Sequence, residues 1–197
     1  ISIVTKSGGN AFHGSLFEYV RNDVWDARNF FDRSDKSPLR LNQFGGSLGG
    51  PIVRDRLFFF ASYEGLRQHA GFNLLGQVPS AAARARAVSS IQPLLAAFPA
   101  GLQTTANPDW DVAQLVGSAT VSENAGSLRL DYHLSAKYSL YARYFRDDGE
   151  SLAPFDVSGS AFRAKAVSQN GVINLQQVLT PSIVNETKFG YNGPKTR

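Results

Sequence analysis

Asn42 to Arg67 reads NQFGGSLGGPIVRDRLFFFASYEGLR, two extended segments hinged on one polar turn. A strand points successive side chains to opposite faces, so residues two apart share a face. In the first segment Gln43, Gly45, Ser47 and Gly49 fall on one side and Phe44, Gly46, Leu48 and Gly50 on the other. In the second, Leu57, Phe59, Ala61 and Tyr63 share a face, with Phe58, Phe60, Ser62 and Glu64 opposite. Pro51 to Arg56 makes the turn, and the whole predicts a β-hairpin.

The same unit recurs twice. Leu128, Leu130, Tyr132 and Leu134 alternate with Ser127, Arg129, Asp131 and His133, a sorting no helix produces. After the turn at Ser135, Ala136 and Lys137, Tyr138, Leu140, Ala142 and Tyr144 alternate with Ser139, Tyr141, Arg143 and Phe145. A third pair is expected over Gly171 to Leu179 and Ile183 to Asn192. Its turn holds Pro181, which lacks the N–H a ladder needs.

Long links separate the hairpins: Asn22 to Leu41, Gln68 to Val121 and Asp148 to Val167. Alternating short and long connections place every tight turn at one end of an up-and-down antiparallel sheet. Outer-membrane barrels show this asymmetry. Ten residues at ~3.3 Å each, tilted ~45°, rise roughly 23 Å, against the ~25 Å apolar band of such barrels. The expected fold is therefore all-β, a partial antiparallel up-and-down transmembrane barrel of about seven strands. In the longest link Ser80 is placed to cap a helix over the Ala-rich Ala81 to Ile91, and Pro93 to end it, giving a short helix pair. That segment would act as a lid over the mouth or pack against the rim.

Composition is compatible with this fold. The chain is 43% hydrophobic, 12% aromatic and 18% charged, with 18 Gly, no Cys and a net charge of +4. No run approaches the ~18 apolar residues of a membrane helix, and the lack of Cys removes disulfides, zinc ribbons and thiol chemistry. The modest positive charge fits a basic lumen, contact with anionic lipopolysaccharide, or chance in a fragment, and decides nothing by itself. The chain is expected to be an excerpt of a longer protein. It has no initiator Met or signal peptide, Ile1 to Thr5 opens in mid-strand, and single-chain bacterial barrels use even strand numbers.

Several stretches carry a family resemblance. Ile3-Val4-Thr5-Lys6-Ser7-Gly8-Gly9-Asn10, then Phe12-His13-Gly14-Ser15 and Arg21-Asn22-Asp23, resemble the plug–barrel junction of TonB-dependent outer-membrane receptors of the Oar-like group. Asp26-Ala27-Arg28-Asn29-Phe30-Phe31, Asn42-Gln43-Phe44-Gly45-Gly46, Gly49-Gly50-Pro51-Ile52 and Phe58 to Gly65 are similar to that group's first barrel strands. Further on, Asn185-Glu186 and Gly190-Tyr191-Asn192 continue the likeness, whereas Gly9 and Ala11 depart from it. The resemblance implies that residues 1–11 end a plug domain and 12–197 begin the barrel, with 68–121 an extracellular loop. The parent protein would be a plugged barrel of about 22 strands in the bacterial outer membrane. It would import a bulky, scarce solute (siderophore, vitamin, oligosaccharide or peptide) with energy from TonB, which grips residues outside this chain. The implied partners are TonB, the plug, outer-membrane lipid and lipopolysaccharide, and the solute, with no nucleic acid.

The chemistry-bearing residues suggest contact surfaces. In Gly45 to Gly50, Ser47 replaces the second Gly of a dinucleotide fingerprint and no Lys-Ser/Thr follows, so the glycines fit strand curvature or close approach of the plug backbone. His13, His69 and His133 have no short ligand spacing, and no metal or cofactor is expected. Asp109-Trp110-Asp111 and Asp147-Asp148-Gly149-Glu150 read as loop carboxylates without a catalytic partner or calcium pattern. Trp110 is a candidate for stacking on a ligand ring or for loop packing. The candidate lumen-lining or plug-contacting side chains are Arg129, Asp131, His133 and Arg143, with Glu64 on the polar side of its own hairpin. An enzyme would need a nucleophile, a base and oxyanion donors that these residues do not assemble. The alternative is a soluble all-β glycan-binding module, which would bury the Leu128, Leu130, Tyr132 face against a second sheet.

Overall fold

The computed structural model describes residues 5–30, 32 and 36–196. Of the strand-like opening Ile1 to Thr5, only Thr5 lies within them. The elements in order are β1 (His13–Asn22), β2 (Leu39–Val53), β3 (Leu57–Pro79), α1 (Ala81–Arg86), α2 (Gln92–Leu95), β4 (Gln103–Thr104), β5 (Trp110–His133), β6 (Tyr138–Pro154), β7 (Ala161–Thr180), β8 (Ile183–Asn192) and β9 (Lys195–Thr196). Among the described residues they form one nine-stranded sheet in the order β1-β2-β3-β5-β6-β7-β8, with β4 on β5 and β9 on β7. Every pairing is antiparallel and joins neighbours in sequence, apart from these two short strands. This is the all-β, up-and-down partial barrel expected from the hairpin pattern. Among the described residues, no second sheet covers either face, and no helix is long and apolar enough to cross a membrane.

The tight turns fall between Val53 and Leu57, His133 and Tyr138, and Thr180 and Ile183. The first contains Asp55 at a positive φ of 61°, a conformation that Asn and Asp tolerate better than most residues. The ladder's register shifts also sit at this end of the sheet, at Pro51/Val53 and Val178/Thr180.

The long links are shorter than the sequence suggests. β3 and β5 stay paired far above Gln68 and Val121, to Pro79↔Trp110, so the connection is 80–109 and not 68–121. β6 and β7 likewise pair to Pro154↔Ala161, so most of Asp148 to Val167 is strand. In consequence Trp110, Asp111, Asp147, Asp148 and Glu150 lie on strands, not in loops.

The expected helix pair is present in 80–109. Ser80 Oγ caps α1 by accepting from Ala83 N at 3.1 Å, while Pro93 falls in the first turn of α2, where its missing N–H costs nothing. Arg84 holds the loop together by donating to the carbonyls of Pro79, Leu95, Phe98 and Pro99. A small core forms beneath it: Val78, Ala113 and Val157 are buried, with Leu74 and Phe98 packed against them.

Candidate functional site

The faces of the sheet follow from register. Phe59, Leu130, Ala142 and Ile173 lie in one cross-strand row, and Ala61, Leu128, Tyr144 and Gly171 in the next. This is the apolar face read from the sequence, and Leu128, Leu130, Tyr132, Ile173, Phe189 and Tyr191 on it are all exposed. The opposite face near the tight turns carries Asp131, Arg129, Ser127, Tyr141 and Arg143. There Ser62 and Ser127 share a hydrogen bond of 2.8 Å across β3 and β5.

An extended segment lies on this polar face and is fastened at two points. At one end Asn10 Nδ2 donates to Asp55 Oδ1 at 2.6 Å, while the Asp55 N–H donates to Asn10 Oδ1 at 2.8 Å. The positive φ of Asp55 thus occurs at the turn that the segment grips. At the other end Arg129 Nη1 donates to Thr5 Oγ1 at 2.7 Å and to the Thr5 carbonyl at 3.1 Å. Between the two points the backbone touches the sheet. A Cβ on Gly8 would stand 2.9 Å from the Gly50 carbonyl, and one on Gly49 would stand 3.6 Å from the Gly8 Cα. A side chain at Gly8 would push the segment away from the sheet, whereas one at Gly49 would meet the segment at ordinary contact distance and press instead on the Phe60 ring.

Arg129 is the centre of this arrangement. Its Nε donates to both oxygens of Asp131 and its Nη2 reaches Asp131 Oδ1 at 2.7 Å, the two side chains being 15% and 14% exposed. Its guanidinium also lies 4.4 Å from the Tyr141 ring centroid. With two edges on one carboxylate, a flat face on an aromatic ring and a third donor on Thr5, the group fits arginine chemistry and not that of lysine.

The other candidates are placed less centrally. Arg143 faces Arg129 directly across the ladder, yet the like charges have separate acceptors, since Arg143 Nη2 donates to Asn170 Oδ1. His133 sits edge-on to Phe58, with ring centroids 5.7 Å apart. Glu64 is on the same face but further from the turns, accepting from Gln43 Nε2 at 2.6 Å. Trp110 is the first residue of β5, opposite Pro79 and 41% exposed, on the side of the sheet away from Arg129. Among the described residues no group of three or more His, Cys, Asp or Glu side chains is placed to hold a metal.

Sequence reading missed Thr5, Asn10, Asp55 and Asn170 as contributors. Only Tyr141 carried a signal, through its place on the polar face. It also missed the pairing of the Asp147-Asp148-Gly149-Glu150 carboxylates, where Asp148 and Glu150 face out and meet Arg146, Lys165 and Arg163.

A family profile described as an outer membrane beta barrel domain matches residues 4–109 and again 85–197. The chain belongs to this family. The chain is therefore part of a barrel wall in the bacterial outer membrane, and walls of this kind turn an apolar face to lipid. The family points to a barrel and not to an enzyme. The chain is also 37% identical over 71 residues to the TonB-dependent transporter Oar of Myxococcus xanthus, a stretch covering 32% of this chain and 7% of that protein. The chain thus spans a small part of that relative's length. No solved structure matches it.

Proposed function

We propose that this chain is the first part of the wall of a TonB-dependent transporter, residues 1–11 ending its plug and 12–197 beginning its barrel. The observation that carries this reading is the double fastening of residues 5–10 to the inner face, by Asn10 on Asp55 and by Thr5 on Arg129. A plug inside a barrel needs such an attachment where its chain enters the first strand. The similarity to a TonB-dependent transporter supports the same reading. In this topology the tight turns face the periplasm and the long connections face outward. The parent protein then imports a bulky, scarce solute such as a siderophore chelate, cobalamin, an oligosaccharide or a peptide, with TonB supplying energy through residues beyond this chain.

The test compares uptake of a labelled panel of iron chelates, cobalamin, oligosaccharides and peptides by wild-type cells and by cells lacking the full-length protein. Loss of one solute class, with wild-type uptake abolished by an uncoupler, is the expected result. Uptake that persists in uncoupled cells yet needs the protein would mark a passive pore and overturn the reading.

A further inference from the structure

The two fastenings of residues 5–10 differ in what stands behind them. Behind Asn10 the chain is fixed again almost at once. Phe12 lies against Phe59 on the apolar face, ring centroids 6.3 Å apart, and over Gly50, where a Cβ would run into its ring. β1 then begins at His13, opposite Gly49. The clamp of Asn10 on Asp55 is thus tethered two residues from a seated ring, so its bonds, once opened, reclose on the spot. Thr5 has no such support. Among the described residues it is hydrogen-bonded to Arg129 alone.

Gly9 lies between the two. A Cβ there would meet nothing within 4 Å, and its φ is not positive, so neither crowding nor backbone conformation calls for a glycine. It is also one of the two positions at which this stretch departs from the family it resembles. What a glycine supplies there is freedom, since its φ and ψ turn through ranges closed to other residues. The segment has room to use it. A cavity of about 340 Å³ lies beside it, lined by Lys6 to Gly9 on one side and by His13, Ser15 and Ser47 on the other. The receiving side, by contrast, stays put. Without Thr5, Arg129 keeps its three bonds to Asp131 and its place over the Tyr141 ring, and its Nη1 remains aimed where Thr5 was.

We propose that Gly9 is the hinge of a reversible catch. Residues 5–8 lift from Arg129 and swing about Gly9, with the cavity beside them as free space, while Asn10 to Phe12 stay on the sheet. The proposal rests on the transporter reading for the pull, which reaches Thr5 through the plug. The stationary clamp keeps that pull from stripping β1 off β2, and the preorganised arginine reseats the segment when the pull ends.

The test places spin labels in the full-length protein at Lys6→Cys or Ala11→Cys, each paired with Lys137→Cys in the turn between β5 and β6. All three positions are exposed, and this stretch has no cysteine of its own. Double electron–electron resonance in bilayers reads the distances. Arg129→Leu opens the catch without force, and Gly8→Val, which presses the segment off the sheet, is a second way to open it should that variant fail to assemble. On opening, the 6–137 distances should spread by up to ~10 Å, the reach of three residues, while the 11–137 distances hold. Adding Gly9→Val, which fits the open space but confines the backbone, should narrow the spread. Movement of both labels, or of neither, overturns the hinge. In cells, Gly9→Val should slow uptake severalfold with solute binding unchanged, and uptake at the wild-type rate overturns its part in transport. The distances are read without TonB, so they judge the hinge separately from the transporter reading, which falls if uptake persists in uncoupled cells.

Discussion

Two stretches of β5 follow opposite rules. From Gly126 to His133 the outward side chains are Leu128, Leu130 and Tyr132, and the inward ones Ser127, Arg129, Asp131 and His133. From Asp111 to Asn124 the outward positions include Asn124, Ser122, Thr120, Ser118 and Gln114, while Val121, Ala119, Leu115 and Ala113 point inward. β3 changes over in the same place, from Phe59 and Tyr63 outward to Arg67, His69 and Asn73 outward, with Leu66, Phe72, Leu74 and Val78 now inward. The backbone ladder does not register the change; its pairing runs without a break from Leu57↔Tyr132 to Pro79↔Trp110. On the transporter reading proposed above, what changes is the solvent. Near the turns the outside is lipid and the inside carries the fastened segment. Beyond Tyr63 and Tyr144, whose hydroxyls donate to Asn124 and Gln169, the outside is water and the inside is covered by the loops carrying Phe98 and Val157.

The largest expected effect tests this contrast directly. Leu130→Arg should cost about 2–4 kcal/mol in refolding into bilayers, while Ser122→Arg, outward on the same strand, should cost about 0–1 kcal/mol. Equal costs in urea titrations would erase the boundary between the two stretches. Next, Arg129→Leu removes three hydrogen bonds from the largely buried Asp131 carboxylate and both bonds to Thr5, a loss of about 1.5–3 kcal/mol. Proteolysis near residues 5–12 should accelerate in parallel, and unchanged protection there would mean that Arg129 does not fasten the segment. In the water-facing stretch, Val78→Ala removes two methylene equivalents from a fully buried site, about 1.5 kcal/mol. The effect should appear as faster hydrogen exchange in 80–109 and around Val157, with exchange near Leu130 unaltered.

The smallest effect depends on pH. Asp32, in the link between β1 and β2, accepts from Ser37 Oγ and N, Asn73 Nδ2 and Asn29 N, and these bonds hold its carboxyl at about 2 against an ordinary 3.8. The folded protein therefore favours the ionised form. The resulting contribution is complete above about pH 4 and is lost as pH falls through about 2. Hydrogen exchange at Ser37 and Asn73 should rise over that window, and Asp32→Asn should remove the pH dependence. A lowered Asp156 carboxyl, held by Ser158, makes the analogous loop between β6 and β7 a control that responds independently.

The turns and faces of the membrane stretch were legible because each hairpin alternates strictly and each turn carries its own punctuation, Pro51 to Arg56, Ser135 to Lys137 and Pro181. The upper strands were not. At Glu64-Gly65-Leu66-Arg67 polar and apolar residues exchange faces, and a reading that follows one apolar face sees the pattern stop and takes the strand to have ended. The same exchange around Gly126 hid Trp110 to Val121, and it moved Asp147, Asp148 and Glu150 into a supposed loop. Of the site, the Arg129–Asp131 pair was readable from its i, i+2 spacing on a polar face. Thr5 was not, being 124 residues away in sequence with no local pattern to announce it.

The unbroken β3–β5 ladder also governs how errors in assembly would show themselves. Sliding one strand past the other by a single residue would carry Arg129 and Asp131 into hydrocarbon, and in the same motion bring Ala113 and Leu115 to water. A one-residue slip inverts both stretches together, and no part of the strand gains from it. A misregistered intermediate is penalised along its whole length, so the hairpin has a built-in check on its own alignment before neighbouring strands arrive.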